Sequence, residues 1–216
     1  MRIVVTAGPT REPLDPVRFL SNRSSGKMGY AIAEAALAAG HAVTLISGPV
    51  SLQAPPGARL IPIVTGDDLY QAVHDATRDC DALVMCAAVA DYRPATSSSR
   101  KLAKQKAPFA LNLSPTRDIL ASLPDPRPFL VAGFAAETHD VESNAKKKLL
   151  AKKCDLIVAN DVSGEDFGME SDENEVTIFF RDGARREISR STKKNIAREL
   201  IKIISETREK CLTKKS

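Results

Sequence analysis

Residues 24–29, Ser-Ser-Gly-Lys-Met-Gly, are of types that could bind an anion. Small residues with free backbone N–H groups at the start of a helix suit a phosphate or a carboxylate, and a helical pattern begins at Lys27. The segment is not a P-loop, because Ser21 replaces the first glycine of that motif and Met28 replaces the hydroxyl residue that would hold magnesium. Tight packing of a helix against a strand would explain the same small residues, so both interpretations stay open.

Lys148 and Lys152 form a second candidate anion site. They lie four residues apart in a predicted helix and therefore share one face of it. That helix follows a predicted strand, so its lysines could overhang a ligand crevice, although a solvated row of lysines is the simpler alternative. Cys86 also follows a strand, but no histidine is placed to activate its thiol, which favours a core cysteine over a nucleophile.

The composition excludes several classes of protein. The chain has 216 residues, of which 43% are hydrophobic and 27% charged, as in ordinary soluble domains rather than disordered chains. No apolar run approaches the length of a membrane span, and the N-terminus leads into a strand instead of a signal peptide. The net charge of +4 is too small to argue for nucleic acid. Four cysteines without C-x-x-C spacing and three histidines make a zinc site improbable and suit reduced thiols in the cytoplasm.

The elements that must position these residues alternate along the chain. A β-branched run predicts a strand over Arg2–Thr6, and a helix is predicted over Lys27–Ala39 and ended by Gly40. The other predicted strands are Ala42–Ser47, Arg59–Val64, Asp81–Cys86, Phe109–Leu113, Phe129–Gly133 and Asp155–Ala159. The other predicted helices are Asp67–Thr77, Pro115–Leu123, Val141–Lys153 and Thr192–Glu206.

This alternation predicts an α/β fold, a doubly wound Rossmann-like and mostly parallel sheet. An Asp182-Gly183 turn adds a C-terminal β-hairpin of Val176–Phe180 and Arg185–Ile188 before the terminal helix. We expect a single domain over 1–216, with a mobile polar flap at 93–106 and a frayed tail at 209–216. The ligand of such a sheet lies outside the carboxyl ends of the strands, here 7–10, 87–91, 134–138 and 160–163.

Several of these segments together resemble phosphopantothenate–cysteine ligases of the bacterial, CTP-dependent type. Residues 6–29 read TAGPTREPLDPVRFLSNRSSGKMG, and they are followed by AAVADYR at 87–93, KLAK at 101–104, GFAAET at 133–138, K-x-x-x-K at 148–152 and ANDV at 159–162. The likeness runs in order through nearly the whole chain. In many bacteria a flavin-binding decarboxylase domain precedes this domain. The resemblance therefore implies a synthetase without that domain, free-standing or excised, and no flavin in this chain.

The resemblance implies a two-step ligation in coenzyme A biosynthesis. The carboxylate of 4′-phosphopantothenate attacks the α-phosphate of CTP, which is accompanied by Mg²⁺, and pyrophosphate leaves. The amine of L-cysteine then attacks the acyl-cytidylate and releases CMP. A homodimer is also implied, and the apolar strand Val176–Phe180 adds support because an isolated sheet edge would expose it. Neither a nucleic acid nor a membrane is an expected partner.

The same resemblance assigns residues to roles. Asn22, Arg18 and the flap residue Lys101 are the expected catalytic residues. Asn22 would hydrogen-bond the acyl intermediate, and Asn160 would help to hold phosphopantothenate. The nucleotide would be bound by Met85, Cys86, Ala87, Asp91, Lys101, Arg117, Asp118, Ile119, Leu120, Phe134, Lys148 and Lys152. The magnesium ligands are unknown.

Two other functions compete with this interpretation. A nicotinamide-dependent reductase on the same fold would need G-x-G-x-x-G after the first strand and an acidic residue closing the second. The chain has G-P-T-R-E-P and a strand that ends Ile46-Ser47-Gly48 instead. A nucleic-acid-binding module rests only on the lysine runs, and a steep salt dependence of DNA binding would distinguish it.

Overall fold

Aliphatic runs form the strands of a central eight-stranded sheet in the computed structural model, which describes residues 1–104, 106–137, 139–161 and 171–213. The strands of this sheet are β1 (Arg2–Ala7), β4 (Ala42–Ser47), β5 (Arg59–Pro62), β6 (Ala82–Met85), β9 (Leu130–Glu137), β10 (Leu156–Asp161), β11 (Glu173–Phe180) and β12 (Arg185–Thr192). Two small hairpins lie outside it, β2 (Arg11–Pro13) with β3 (Phe19–Ser21), and β7 (Tyr92–Pro94) with β8 (Leu113–Pro115). The helices are α1 (Lys27–Ala38), α2 (Gly66–Ala76), α3 (Val141–Ala151) and α4 (Lys193–Thr213), and a short 3₁₀ turn covers Thr77–Asp79.

The order of the strands confirms the predicted fold class. It runs β12-β11-β10-β9-β6-β1-β4-β5, and the strands from β10 to β5 pair in parallel. The hairpin β11–β12 is antiparallel and extends one edge. The chain therefore leaves β1 in one direction to β4 and β5, and later in the other to β6, β9 and β10. In such sheets the point where the order reverses, here between β1 and β6, opens the ligand crevice.

Each face of the sheet is covered by a pair of helices. Alternate residues of a strand point to opposite faces, so Ile3 and Val5 pack in the cluster that includes α1 and α4. Val4 lies between them in sequence and packs in the opposite cluster, with Leu69 of α2 and Leu149 of α3. These side chains are all at most 5% exposed. The sheet thus has two apolar faces, which leaves the carboxyl ends of the strands for polar groups.

The predicted helix at Pro115–Leu123 is wrong. Pro115 ends β8, and residues 119–122 form a single turn in which the Ser122 amide donates to the Asp118 carbonyl. The strand predicted at Phe109–Leu113 lies later, at β8, because its pairing with β7 joins Leu113 to Pro94 and Pro115 to Tyr92. A loop followed by one turn, rather than a helix, therefore leads into β9.

The apolar strand that was expected to lie on an exposed edge is buried. Val176, Ile178 and Phe179 are at most 3% exposed, because β12 pairs along one side of β11 and the two helix layers cover its faces. The prediction that this strand supports a homodimer is therefore wrong.

The predicted flap and tail are only partly described. Residue 105 of the flap, the strand-end residues 138, 162 and 163, and residues 214–216 of the tail lie outside the described residues. Helix α4 continues to Thr213, beyond its predicted end at Glu206. Within the described part of the chain, no helix combines the length and the apolar character that crossing a bilayer requires.

Candidate functional site

Two buried threonines fix the backbone at the switch point between β1 and β6. The Thr6 hydroxyl oxygen accepts hydrogen bonds from the amides of Cys86 and Ala87, each at 3.0 Å. The Thr10 hydroxyl accepts one from the Ala90 amide, also at 3.0 Å. Neither threonine is exposed. The loop after β6 is thus fixed beside the end of β1 by two side chains of the Thr-Ala-Gly-Pro-Thr segment.

Helix α1 begins directly above β1 because its first residues are small. Gly26, the residue before the helix, has φ 77°, a conformation that favours glycine. A Cβ atom at Gly29 would lie 2.5 Å from the Cβ of Ala7, so a side chain there would push the helix off the strand. The two open interpretations of residues 24–29 are therefore compatible, since the close packing also brings the N-terminus of α1 to the crevice.

A cavity of ≈350 Å³ opens at this N-terminus, and we call it the Asn22 cavity. Residues 24–29 form one side, the loop after β6 forms the floor, and Phe134, Asn160 and Lys193 line the rest. The Asn22 side chain donates to the Ala88 carbonyl at 3.0 Å, which fixes the orientation of its amide. The cavity thus combines a helix N-terminus, three lysines (Lys27, Lys148 and Lys193) and three side-chain amides.

A second cavity of ≈330 Å³ adjoins the first, and we call it the Lys152 cavity. It lies between residues 116–120 and the middle of β9 on one side and the C-terminal end of α3 on the other. The two cavities share Ala87, Val89, Asp91, Phe134 and Lys148 as a common wall. A ligand that occupies both would therefore run over Phe134.

The structure brings most of the predicted site residues together. The Lys152 cavity is lined by Met85, Ala87, Asp91, Arg117, Asp118, Ile119, Leu120, Phe134, Lys148 and Lys152. The Asn22 cavity contains Asn22, Cys86 and Asn160. Arg18 and Lys101 line neither of the two cavities.

The lysines at the cavities are oriented by carboxylates. Lys27 pairs with Asp172 at 2.7 Å and Lys148 with Glu137 at 2.6 Å, while Lys152 pairs with Asp118 across the Lys152 cavity. Arg117 lies 3.5 Å from Asp67 and stacks over the Tyr70 ring at 5.0 Å. A phosphate group that entered would replace a carboxylate as the partner of an ammonium that is already in position.

Sequence reasoning missed several residues of the site. Lys193 and Asn174 line the Asn22 cavity although they come from α4 and β11, far along the chain. Glu137 holds Lys148, and Thr6 fixes the floor. The sequence marks Asn174 and Lys193 only as polar residues near the start of a strand and of a helix. Polar residues are common at such positions, so this feature does not indicate a site.

Cys86 lines the Asn22 cavity as a protonated thiol. Burial raises the pKa of Cys86 to about 12, with only a partial offset from the charge of Lys193. Because the thiolate is the nucleophile, this agrees with the interpretation of Cys86 as a core cysteine.

We expect Cys86 to react with iodoacetamide at pH 8 at least about a hundredfold more slowly than the exposed Cys211, since burial keeps nearly all of Cys86 in the unreactive thiol form. Mass spectrometry of the labelled peptides over time measures the ratio. Labelling of both cysteines at similar rates would contradict the raised pKa.

Arg18 takes part in a clamp that holds the predicted flap. The buried carboxylate of Asp15 accepts from the amides of Val17 and Arg18, each at 2.9 Å, and from the Leu102 amide at 3.1 Å. The Arg18 guanidinium donates to Asp15 and, at 3.0 Å, to the Leu102 carbonyl. Lys101 is therefore tethered at its neighbour to the loop between β2 and β3.

Replacing Asp15 by asparagine is expected to lower the midpoint of thermal unfolding by several degrees at pH 7. The hydrogen bonds from Arg18 hold the pKa of Asp15 well below its usual range. Its stabilising contribution is therefore complete above the ordinary aspartate pKa of about 4 and is lost as the pH falls towards the folded value.

The difference between wild type and Asp15→Asn should consequently shrink below about pH 4. Calorimetry over a pH series measures it, with Asp79→Asn as the control because that carboxylate is 77% exposed in its pair with Arg2. A difference that is absent at pH 7, or that does not change with pH, would contradict the role of the clamp.

Comparison with known protein families gives one match that covers almost the whole chain. Residues 1–207 match the family described as DNA/pantothenate metabolism flavoprotein C-terminal domain. The coenzyme A biosynthesis bifunctional protein CoaBC of Bacillus subtilis (strain 168) is 48% identical over 205 residues, 94% of this chain and 50% of that protein. The chain thus spans about half the length of the curated relatives it matches.

Solved structures agree with this match. The crystal structure of the C-terminal domain of a coenzyme A biosynthesis bifunctional protein CoaBC superimposes with a TM-score of 0.83 and 41% identity, over 97% of this chain and 96% of that one. A Cab2 mutant in complex with phosphopantothenate-cysteine has a TM-score of 0.79 over 99% of this chain and 88% of its own. At 16% identity, that second likeness is evidence of the fold alone.

Proposed function

This chain belongs to the family of DNA/pantothenate metabolism flavoprotein C-terminal domains, and from that membership we propose that it is a phosphopantothenate–cysteine ligase of coenzyme A biosynthesis. The observation that carries the proposal is the pair of cavities joined at Phe134, one with the lysine pair of α3 and the other with Asn22. Such a ligase must hold a nucleoside triphosphate next to the carboxylate that attacks it. Two adjoining cavities that share a wall suit this requirement.

The proposed reaction has two displacement steps. A carboxylate oxygen of 4′-phosphopantothenate attacks the α-phosphorus of CTP, the bond from that phosphorus to the bridging oxygen breaks, and pyrophosphate leaves with the electron pair. The amine of L-cysteine then attacks the acyl carbon, CMP leaves with the former carboxylate oxygen, and the amine loses a proton. Negative charge develops on phosphate oxygens and then on the acyl oxygen, so the protein contributes mainly position and electrostatic stabilisation.

The Lys152 cavity is our candidate for the nucleotide. Phe134 offers a flat face to the base or ribose, and the backbone of 117–120 and 85–87 can present hydrogen-bonding groups to the base. Lys148 and Lys152 would exchange Glu137 and Asp118 for phosphate oxygens. Charge-assisted hydrogen bonds of this kind are about twice as strong as neutral ones.

Asn22 is our candidate for stabilising the acyl intermediate. One N–H of its amide is used by the Ala88 carbonyl, and an amide has a second N–H and an oxygen for a ligand. Asn160 lies on the same cavity wall as Phe134 and is proposed to hold phosphopantothenate. Asn22 would thus contact the acyl group of the intermediate, and Asn160 would contact its phosphopantothenate part.

Magnesium fits this arrangement as a companion of the triphosphate. Among the described residues, no group of three or more His, Cys, Asp or Glu side chains could form a protein cage for a metal. Mg²⁺ is usually held by one or two carboxylates together with substrate phosphates and water, and Asp91 lines both cavities. When bound, the ion neutralises charge on the phosphate oxygens. Asp91 is therefore the side chain that we propose to contact it.

The flap is proposed to close over the nucleotide and bring Lys101 to it. Closure would exclude water, which otherwise hydrolyses a mixed anhydride. Two places in the segment are fixed, by the clamp of Asp15 and Arg18 on Leu102 and by the pairing of Arg93 and Pro94 in β7, so the proposed movement takes place between them. Amide hydrogen exchange of this segment with and without CTP tests the idea, and equal protection in both states would contradict it.

A homodimer remains our proposal, but through a different surface from the β11 strand. Exposed apolar side chains are concentrated on the two small hairpins and their loops, which contact each other through β2 and β7. They include Val17, Phe19, Tyr92, Phe109 and Leu113, each at least 47% exposed. A second copy that covers this surface would remove it from water. A monomer in sedimentation at micromolar concentration would contradict the proposal.

The competing functions have less support. The glycine motif of a nicotinamide-binding reductase is missing after β1, and the loop there is fixed by Thr6 and Thr10 instead. Four of the lysines in the runs that suggested nucleic acid binding are paired with carboxylates, namely Lys146, Lys148, Lys152 and Lys153. The four cysteines are free thiols, which suits the reducing cytoplasm as the proposed location.

The proposed function is tested by incubating the protein with CTP, Mg²⁺ and 4′-phosphopantothenate, with and without L-cysteine. We expect pyrophosphate to form with all three, and CMP and phosphopantothenoylcysteine to accumulate only when cysteine is present. Replacement of CTP by ATP at low concentration should greatly reduce turnover. Product formation without nucleotide consumption, or none with all substrates, would contradict the proposal.

A further inference from the structure

Lys193 is an almost fully buried lysine at the edge of the Asn22 cavity. It is the first residue of α4, it is 6% exposed, and its ammonium donates to the Ser171 carbonyl. A lysine this buried is unusual, because removing an ammonium from water is costly unless other groups compensate. A second lysine, Lys27 of α1, lines the same cavity. Two cationic side chains from the starts of two helices therefore meet there.

The surroundings of Lys193 favour an anionic ligand. Burial lowers the pKa of Lys193, and the positive charge of Lys27 lowers it further, while Asp172 acts in the opposite direction. Asp172 is also the carboxylate that pairs with Lys27 at 2.7 Å. The positive end of the α1 dipole adds to the same side of the cavity.

From this arrangement we propose that Lys193 binds a phosphate oxygen of a substrate in the Asn22 cavity, opposite Lys27 and the N-terminus of α1. This proposal rests on the proposed function, which supplies two sources of phosphate, the triphosphate of CTP and the phosphate of phosphopantothenate. A bound phosphate would lie between these two cationic side chains and add negative charge beside Asp172. Lys193 is thus a substrate-positioning residue that the family motifs in the sequence did not indicate.

The test is equilibrium binding to Lys193→Met, Lys193→Arg and Lys194→Met by titration calorimetry. Methionine keeps the apolar stem and removes the charge, and arginine keeps the charge. Lys194 is the matched control, since its side chain is 66% exposed and pairs with Glu34 at 3.2 Å. Each protein is titrated with CTP, CMP, phosphopantothenate and pantothenate, and circular dichroism verifies that the variants are folded.

We expect Lys193→Met to weaken the binding of one phosphate ligand about 10- to 100-fold, as the loss of a charge-assisted hydrogen bond implies. Pantothenate should bind as before if Lys193 contacts the phosphate of phosphopantothenate, and CMP should bind as before if Lys193 contacts the β- or γ-phosphate of CTP. Loss with CTP assigns Lys193 to the triphosphate, and loss with phosphopantothenate assigns it to that phosphate. Lys193→Arg should recover part of the affinity, and Lys194→Met should change nothing.

A purely structural role predicts a different result. It would lower the thermal midpoint and weaken all four ligands together in Lys193→Met, and that outcome would overturn the proposal, as would unchanged binding of every ligand by a folded variant. Wild-type protein that binds neither CTP nor phosphopantothenate would instead contradict the proposed function. Affinity that falls at alkaline pH in the wild type but less in Lys193→Arg would support Lys193, since Lys27 and Asp172 are the same in both and Cys86 stays protonated.

Discussion

Replacing Asn22 by aspartate is expected to leave pyrophosphate release measurable and to reduce formation of the cysteine amide about 10²- to 10³-fold. Aspartate has the same shape, but it has no N–H to donate to a developing oxyanion, and loss of one such donor costs about 3–4 kcal/mol in the transition state. In the proposed first half-reaction the developing charge lies on phosphate oxygens, and the lysines that line the cavities would stabilise it. The two half-reactions should therefore respond differently.

A coupled pyrophosphate assay and chromatography of the thiol product measure the two half-reactions of the Asn22→Asp variant separately. Asn195→Asp is the control, because Asn195 is exposed in the first turn of α4, where it donates to the Ser191 hydroxyl. Equal loss of both half-reactions would make Asn22 a general positioning residue and would contradict its assignment to the intermediate.

Replacing Gly48 by alanine is expected to lower the free energy of unfolding by about 3 kcal/mol, the upper end of the usual cost of overpacking. A Cβ atom at Gly48 would lie 1.9 Å from the Pro9 carbonyl oxygen and 2.9 Å from its carbon. These are backbone atoms of the segment that ends in Thr10, and Thr10 holds the loop after β6. The substitution should therefore also weaken nucleotide binding.

Urea unfolding with linear extrapolation measures the stability of Gly48→Ala. Gly66→Ala is the matched control, since its Cβ would come no closer than 3.3 Å to another atom, the Oε1 of Glu12. The control should differ from the wild type by less than about 1 kcal/mol. A Gly48→Ala protein as stable as the wild type would show that the approach of Pro9 to Gly48 is not constrained.

The sequence predicts the sheet well because hydrophobic periodicity reports burial. The runs at Arg2–Thr6 and Ala42–Ser47 lie almost where β1 and β4 begin and end, and their alternate residues pack on opposite faces. The helix predicted at Pro115–Leu123 is wrong although the segment has a helical composition, because the segment forms only one turn and has no second turn that could pack against the sheet. The local pattern also cannot predict that Pro115 pairs with Tyr92 of β7.

Sequence also cannot show which partner covers a strand. The apolar sequence of Val176–Phe180 is equally consistent with a subunit interface and with the core. Only the pairing with β12 and the packing of α4 show that the strand belongs to the core. Cooperation between distant residues is hidden in the same way. Lys193 and Asn22 are far apart in the chain, and they reach one cavity because α4 packs beside α1.

The candidate site could be described only by combining the family resemblance in the sequence with the structure. The resemblance assigned Lys148, Lys152 and Phe134 to the nucleotide, and the fold brings them to one cavity. The resemblance gave no physical reason for Arg18, whereas the structure places it in the clamp on the flap. The carboxylate partners of the lysines, which hold the ammonium groups in place, come from the fold alone.

The carboxylate of phosphopantothenate is proposed to be activated as an acyl-cytidylate, and transfer of an oxygen isotope tests this step most directly. Phosphopantothenate labelled with ¹⁸O in its carboxylate is incubated with CTP, Mg²⁺ and L-cysteine, and the products are analysed by mass spectrometry. We predict one ¹⁸O atom in CMP and one in the amide carbonyl of the product, because the attacking oxygen stays on the α-phosphorus when CMP leaves. Label in inorganic phosphate, or CMP without label in the presence of amide product, would contradict the claim.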